Sequence, residues 1–230
     1  MPRTAPSIKL ESTRSYGAEV VLVGPGSEER KQKAEELARE HGYVIVPPYN
    51  DEKIMAGQGT IGLEILEDLP EVDTVLSPVG GGGLLGGIAS ALKLSRSGTK
   101  VIGDEPEVAN DAQRSFRAHH IVELPAEQTS STLADGLRTQ SIGQIPYNAI
   151  SQFVDDIVTV KEDEIMEAMR RMALFSKIIA EPSGAVTFAA FLFHEKELPK
   201  TKHNVAVISG GNVEPELLAR VLTQQVAAAV

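Results

Sequence analysis

Along the chain, short apolar runs alternate with longer amphipathic stretches. Residues 6–16 place Ile8, Leu10 and Thr13 near one face of a short helix, which Gly17 ends. EVVLVG at 19–24 is almost wholly apolar and rich in Val, the pattern of a buried strand. SEERKQKAEELAREHG follows as a helix, with Ser27 as expected N-cap, Glu28 and Glu29 in its first turn, and Gly42 as its stop. YVIVPP at 43–48 predicts a second strand closed by Pro47 and Pro48. GTIGLEILEDL at 59–69 then predicts a helix, TVLSPVG at 74–80 a strand, GGGLLGGIASALKL a helix, and KVIGDE at 100–105 a strand. This alternation favours parallel βαβ units with right-handed crossovers.

Residues 119–160 are less regular. LRTQSIGQIPYN reads as a loop around a short helix, and FVDDIVTV as a strand. Ile165, Met169, Met172 and Leu174 or Phe175 recur at helical intervals and predict an amphipathic helix over 162–178. PSGAVTFAAFLF predicts a buried helix, NVAVISG a late strand, and PELLARVLTQQV a closing helix.

Composition narrows this picture. Apolar residues are 42% of the 230 positions but aromatics only 4%, so the core must be built from Val, Ile, Leu and Ala, as suits helices on a parallel sheet. A formal net charge of -10 argues against general affinity for nucleic acid or an anionic membrane. No apolar run reaches the roughly 18 residues that a membrane-crossing helix needs. The start, MPRTAPSIKL, has no apolar signal core. Cysteine is absent, which removes disulfides and thiolate chemistry and fits a cytoplasmic setting.

The strongest local chemistry is VGGGGLLGG at 79–87, between an apolar strand and an apolar helix. Gly80, Gly81, Gly82 and Gly83 can turn tightly and expose backbone N–H groups to an anion, and the following helix adds its positive end. A close strand–helix crossing would need the same glycines for room alone. No GKS or GKT follows, so a nucleotide-hydrolysing loop is unsupported. The loop by itself indicates a phosphate-bearing ligand without saying which.

YGAEVVLVG, MAGQGTIGLEIL, PVGGGGLLGGIA, GDEPEVANDAQRS, TLADGLRTQSIG, VDDIVTV, EPSGA and ISGGNV occur in that order. Together they resemble the pyridoxal-phosphate-dependent serine/threonine dehydratase family, over nearly the whole chain. The resemblance implies an α/β scaffold of fold type II: a parallel sheet with helices on both faces and an incomplete smaller domain. Residues 1–52 would be the remnant of that smaller domain and 53–230 the larger, cofactor-binding one. It also implies that Gly80–Gly83 hold the cofactor phosphate with Leu84 opening the helix. Ser209 would meet the pyridine nitrogen, and Glu181 would line the ring region. Glu105, the Ala109 carbonyl and Asp111 resemble a ligand set for Mg²⁺ or Ca²⁺. Family members commonly dimerise, so a homodimer or higher oligomer is expected.

One block of the family pattern does not occur in these residues. The catalytic lysine that forms a Schiff base with the cofactor lies, in the family, in a segment of the type SFKxRGA, followed by an SSGNHG-type loop. Neither is present here, and Lys93, Lys100 and Lys177 carry no motif that would let them substitute. The expectation is non-covalent binding of pyridoxal phosphate, with dehydratase or racemase turnover absent or weak. Two other readings stand beside it. One is a repurposed hydrolase of carboxylesterase type acting on a small ester. It would use Ser77, Ser183 or Ser209 with one of His41, His119, His120, His194 and His203, and the glycine loop as oxyanion site; no G-x-S-x-G elbow supports it. The other is a fragment that complements a separate amino-terminal piece. The small-molecule partner is accordingly an amino acid, an ester or a phosphate-bearing ligand.

Overall fold

The computed structural model describes residues 1–96 and 98–223. Its first elements are three helices, α1 (Ser7–Ser15), α2 (Ser27–His41) and α3 (Glu52–Asp68). Then come β1 (Thr74–Pro78), α4 (Gly83–Ser95), β2 (Lys100–Pro106), α5 (Asp111–Ala118), α6 (Ala126–Thr129) and α7 (Gln144–Phe153). The chain continues with β3 (Asp156–Val160), α8 (Glu162–Arg171), α9 (Pro182–Phe193), β4 (Asn204–Ala206) and α10 (Pro215–Thr223). The strands form one parallel four-stranded sheet in the order β3-β2-β1-β4.

Side chains alternate across each strand, so neighbouring residues serve two cores. Val75, opposite Val101, and Ile157 pack with Leu85, Ile88 and Leu92 of α4 and Ile150 of α7. Leu76, opposite Ile102, and Val158 pack with Ile165 and Met169 of α8 and Val186 and Ala189 of α9. The sheet is therefore covered by helices on both faces, as the family resemblance implies. The apolar runs are continuous because both faces of each strand are buried. No helix among the described residues is long and apolar enough to cross a membrane.

α3 crosses α4 at backbone contact. A Cβ on Gly59 would lie 3.1 Å from the Gly87 carbonyl oxygen, and one on Gly62 would lie 3.0 Å from that of Ile88. α3 also starts at Glu52 rather than at the predicted position 59. Asp51 caps it, its Oδ1 accepting from the Lys53 and Ile54 amides at 2.8 and 3.1 Å.

Several expectations need correction. Residues 19–24 are not a strand: Pro2 and Val23 form only an isolated bridge, with Val23 exchanging hydrogen bonds with Met1 and Arg3. Residues 43–48 are not a strand either. Tyr43 to Val46 are exposed and find no ladder partner among the described residues. A strand exists only through its neighbours, so apolar pattern alone could not place these two. Ser27 opens α2 but Gly26 is its N-cap, and the Ser27 hydroxyl accepts from Arg30 instead. The loop around a short helix expected over 137–148 contains the first half of α7, which runs on to Phe153; its Pro146 sits in the first turn, where a missing N–H is tolerated. The helix expected over 162–178 changes at Met172 into a π-turn that ends at Lys177, φ 60°. The last residues of the predicted closing helix, 224–226, lie outside the described residues.

Candidate functional site

The carboxyl ends of β1 and β2 and the amino end of α4 meet beneath the crevice where parallel sheets usually receive ligands. Gly82 takes φ 91°, a conformation that side-chain-bearing residues rarely adopt, and serves as N-cap of α4. A Cβ there would also meet Pro146 at 2.8 Å. The Gly81 carbonyl accepts from the Gly143 amide at 3.1 Å, tying the loop to the start of α7. Tyr49 lies so close over Gly81 and Gly83 that a side chain at Gly81 has no room. The first amides of α4 have no intrahelical acceptors and carry the positive end of the helix dipole. The loop thus has the form of an anion nest.

Gly80, Gly81, Gly82, Gly83, Leu84, Glu181 and Ser209 all line one cavity of about 500 Å³. The sequence places these residues in three separate stretches; the fold brings them to one wall. Gly210 has no side chain because Glu181 occupies that space: a Cβ there would be 2.5 Å from Glu181 Oε1. Glu181 is the N-cap of α9, and its amide donates to the Gly210 carbonyl at 3.0 Å.

The same cavity contains residues that the motif reading did not assign. Lys9 of α1 reaches in and donates to both Asp135 carboxylate oxygens, at 2.9 and 2.8 Å, and pairs with Glu181 Oε2 at 2.8 Å. Burial works against its ammonium form, but the hydrogen bonds to Asp135 and the adjacent Glu181 carboxylate outweigh that and raise its pKa. Arg30 and Arg138 also line the cavity, as does Thr139, whose buried hydroxyl has no partner. The signals were present in TAPSIK and TLADGLRTQ, but spacing alone does not reveal which polar residues face one space.

Beside this wall lies a second group. Glu105 is fully buried and accepts from the Gln113 and Ala112 amides at 2.7 and 3.3 Å. Both Asp111 oxygens are buried without a hydrogen-bond partner, and Ala109 is buried between the two in sequence. Burial pushes Asp111 up to about 8, and the nearby backbone of Asp111 itself and of Ile142 offsets this only in part. Glu105 is raised well above the carboxylate range, first by burial and then by the Asp111 charge. Two buried carboxyl groups this close are the oxygen donors a hard cation takes. No cluster of three or more His, Cys, Asp or Glu occurs among the described residues, so any further ligands would have to be carbonyls and waters.

Lys93 and Lys100 pair with Asp155, and Lys177 donates to the Leu174 carbonyl. None of the three lines the cavity. The hydrolytic arrangement is not assembled either: among the described residues neither Ser77, Ser183 nor Ser209 hydrogen-bonds a histidine. Ser183 accepts from the Gly136 amide at 2.9 Å, and His194 is held between Glu164 and Glu197.

Comparison with known proteins gives a consistent result. The profile of the family "Pyridoxal-phosphate dependent enzyme" matches residues 1–210. The chain is 39% identical over 223 residues to L-threo-3-hydroxyaspartate ammonia-lyase of Saccharomyces cerevisiae, covering 97% of this chain and 67% of that one. It is 43% identical over 217 residues to a catabolic L-threonine dehydratase of Staphylococcus aureus, covering 93% and 62%. Among solved structures, maize serine racemase superposes with a TM-score of 0.88 at 34% identity, covering 95% of this chain and 67% of that one. A threonine deaminase from T.th. gives 0.86 at 41%, covering 93% and 69%. The chain therefore spans roughly two thirds of these relatives' lengths. It belongs to the pyridoxal-phosphate dependent enzymes and has their fold-type II scaffold, close to the serine/threonine dehydratases.

Proposed function

We propose that this chain is the greater part of a dehydratase-like scaffold that holds pyridoxal phosphate without a covalent bond. The observation that carries this reading is the convergence of Gly80–Gly83, Ser209 and Glu181 on one cavity. The glycine amides and α4 would hold the phosphate. The Ser209 hydroxyl would meet the ring nitrogen, and Glu105, the Ala109 carbonyl and Asp111 would hold Mg²⁺ or Ca²⁺ nearby. When bound, the cofactor supplies an electron sink for reactions at the Cα of an amino acid. The relatives named for threonine and 3-hydroxyaspartate support β-hydroxy amino acids as the substrate class of the whole protein.

No lysine of the family motif stands among these residues, and Lys9 is tied to two carboxylates. Dehydratase and racemase turnover by the 230-residue chain is therefore expected to be absent or weak. Titration with pyridoxal phosphate should give a saturable absorbance change, and borohydride reduction should leave little covalent adduct. Sustained release of 2-oxobutanoate from threonine would overturn the statement about turnover. Absence of saturable binding would overturn the cofactor reading.

A second reading, complementation by a separate piece carrying the lysine, draws support from the exposed, unpaired apolar segment Tyr43–Val46. Such a segment is a template for an added strand. Co-expression with the amino-terminal third of a relative should give a stable complex; its failure to form would remove this alternative.

A further inference from the structure

Glu181 and Gly210 are packed together, with Glu181 Oε1 in the space a Gly210 side chain would need. Glu181 and Ser209 both line the cavity, so each is a candidate acceptor for a pyridine ring nitrogen. Their chemical consequences differ. A carboxylate beside the nitrogen stabilises the protonated, cationic ring, whereas a neutral hydroxyl does not. Which of them is free to act decides the electronic state of the ring.

We propose that Lys9 is a positioning residue that commits the Glu181 carboxylate to itself, leaving the ring nitrogen to the Ser209 hydroxyl. This inference rests on the pyridoxal-phosphate reading of the cavity and adds the control of ring protonation to it. Lys9 Nζ is 2.8 Å from Glu181 Oε2, while Oε1 rests against Gly210. The ammonium is fixed on its other side by both oxygens of Asp135, so it is held rigidly rather than swinging in solvent. The other charged groups on the cavity wall do not do this. Arg30 donates to the Pro25 carbonyl and the Ser27 hydroxyl, and Arg138 donates to the Thr132 carbonyl. Tyr49 lies over the glycine loop. Among the described residues, Lys9 is the cation paired with Glu181. It comes from α1, nearly the whole chain away in sequence, so the element that closes over the cavity also sets its electrostatics.

The test uses pyridoxine 5′-phosphate, whose alcohol in place of the aldehyde prevents any adduct with lysine. Its ring protonation is followed by ultraviolet absorbance across pH when bound to the full chain. In Lys9→Met the ring is expected to protonate at a pH higher by about one unit or more, since an opposite charge within a few ångströms typically has that effect. Lys9→Gln should give the same rise, which keeps the test open if the methionine variant does not fold. Lys9→Arg should restore the wild-type value. The double variant Lys9→Met/Glu181→Gln should lose the rise, and Lys9→Met/Asp135→Asn should retain it; a general loosening of the fold would not separate these two. An unchanged protonation pH in both charge-removing variants, or a rise that persists without the Glu181 carboxylate, overturns the proposal while leaving cofactor binding intact. Failure of the wild-type chain to bind pyridoxine 5′-phosphate at all overturns the cofactor reading and this proposal with it.

Discussion

Asp104 offers a direct measure of what an unpaired carboxyl does inside this sheet. It lies on β2, fully buried, and neither of its oxygens has a hydrogen-bond partner. Burial raises its pKa well above the ordinary value. Asp104→Val removes two polar atoms from a site that does not satisfy them and keeps nearly the same volume. An unsatisfied buried group costs about 1–3 kcal/mol, so near pH 4 and below, where Asp104 keeps its proton, the variant is expected to be more stable by about that amount. For a domain of this size that corresponds to a melting temperature higher by about 2–4 °C per kcal/mol. The sign of the pH effect follows from the raised pKa. The unfolded chain gives up the Asp104 proton near its ordinary pKa of about 3.9, while the folded protein keeps it. Wild-type stability relative to the variant is then full below that pH. It falls by up to about 1.4 kcal/mol per pH unit above it, until the folded pKa is reached. Urea denaturation of both proteins at several pH values from 4 to 8 reads this directly. Glu105 and Asp111 titrate in both proteins and largely cancel in the difference, because Glu105 points to the opposite face of the sheet from Asp104. A variant no more stable than wild type, or a gain that does not grow with pH, would refute the reasoning.

Two further predictions concern the site. Mg²⁺ or Ca²⁺ should raise the melting temperature of the wild-type chain, by the equivalent of about 2.7 kcal/mol at a hundred times the dissociation constant. Asp111→Asn should lose most of that shift. Because Asp111 stands at about 8 without a cation, binding must release its proton, so affinity should strengthen as pH rises from 6 to 8; calorimetry in buffers of different ionisation heat detects the proton, and a pH-independent affinity would contradict the assignment. Gly82→Ala should destabilise the fold by about 1–2 kcal/mol through the left-handed backbone and weaken pyridoxal phosphate binding at least tenfold by displacing the nest, as fluorescence titration would show; unchanged binding would remove the phosphate role from this loop.

What could be read from the sequence was whatever depends on local pattern. The runs at 74–80 and 100–105 became strands because each is apolar on both faces and each has the other as a neighbour. The runs at 19–24 and 43–48 have the same pattern but no such neighbour among the described residues, and pattern carries no information about pairing. The true start of α3 at Glu52 was missed, since Gly57 and Gly59 weaken the helical pattern of its first two turns. The glycine loop and Ser209 were legible as motifs and now face one cavity. Lys9 was not, because its importance arises only when α1 folds against Asp135 and Glu181, more than a hundred residues away.

The backbone contact between α3 and α4 has a bearing on how this scaffold can change. The helix that carries the glycine loop meets the main chain of α3 directly at Gly87 and Ile88. The nest is likewise made of main-chain amides rather than of side chains. Its dimensions are thus written in the path of the polypeptide. Acceptance of a bulkier group against the loop would require two helices to shift together, while the part of the cavity lined by the side chains of Lys9, Asp135, Glu181 and Ser209 can be altered one residue at a time. Divergence among proteins built on this frame is therefore expected to run through those side chains, with the path of the glycine loop inherited nearly unchanged.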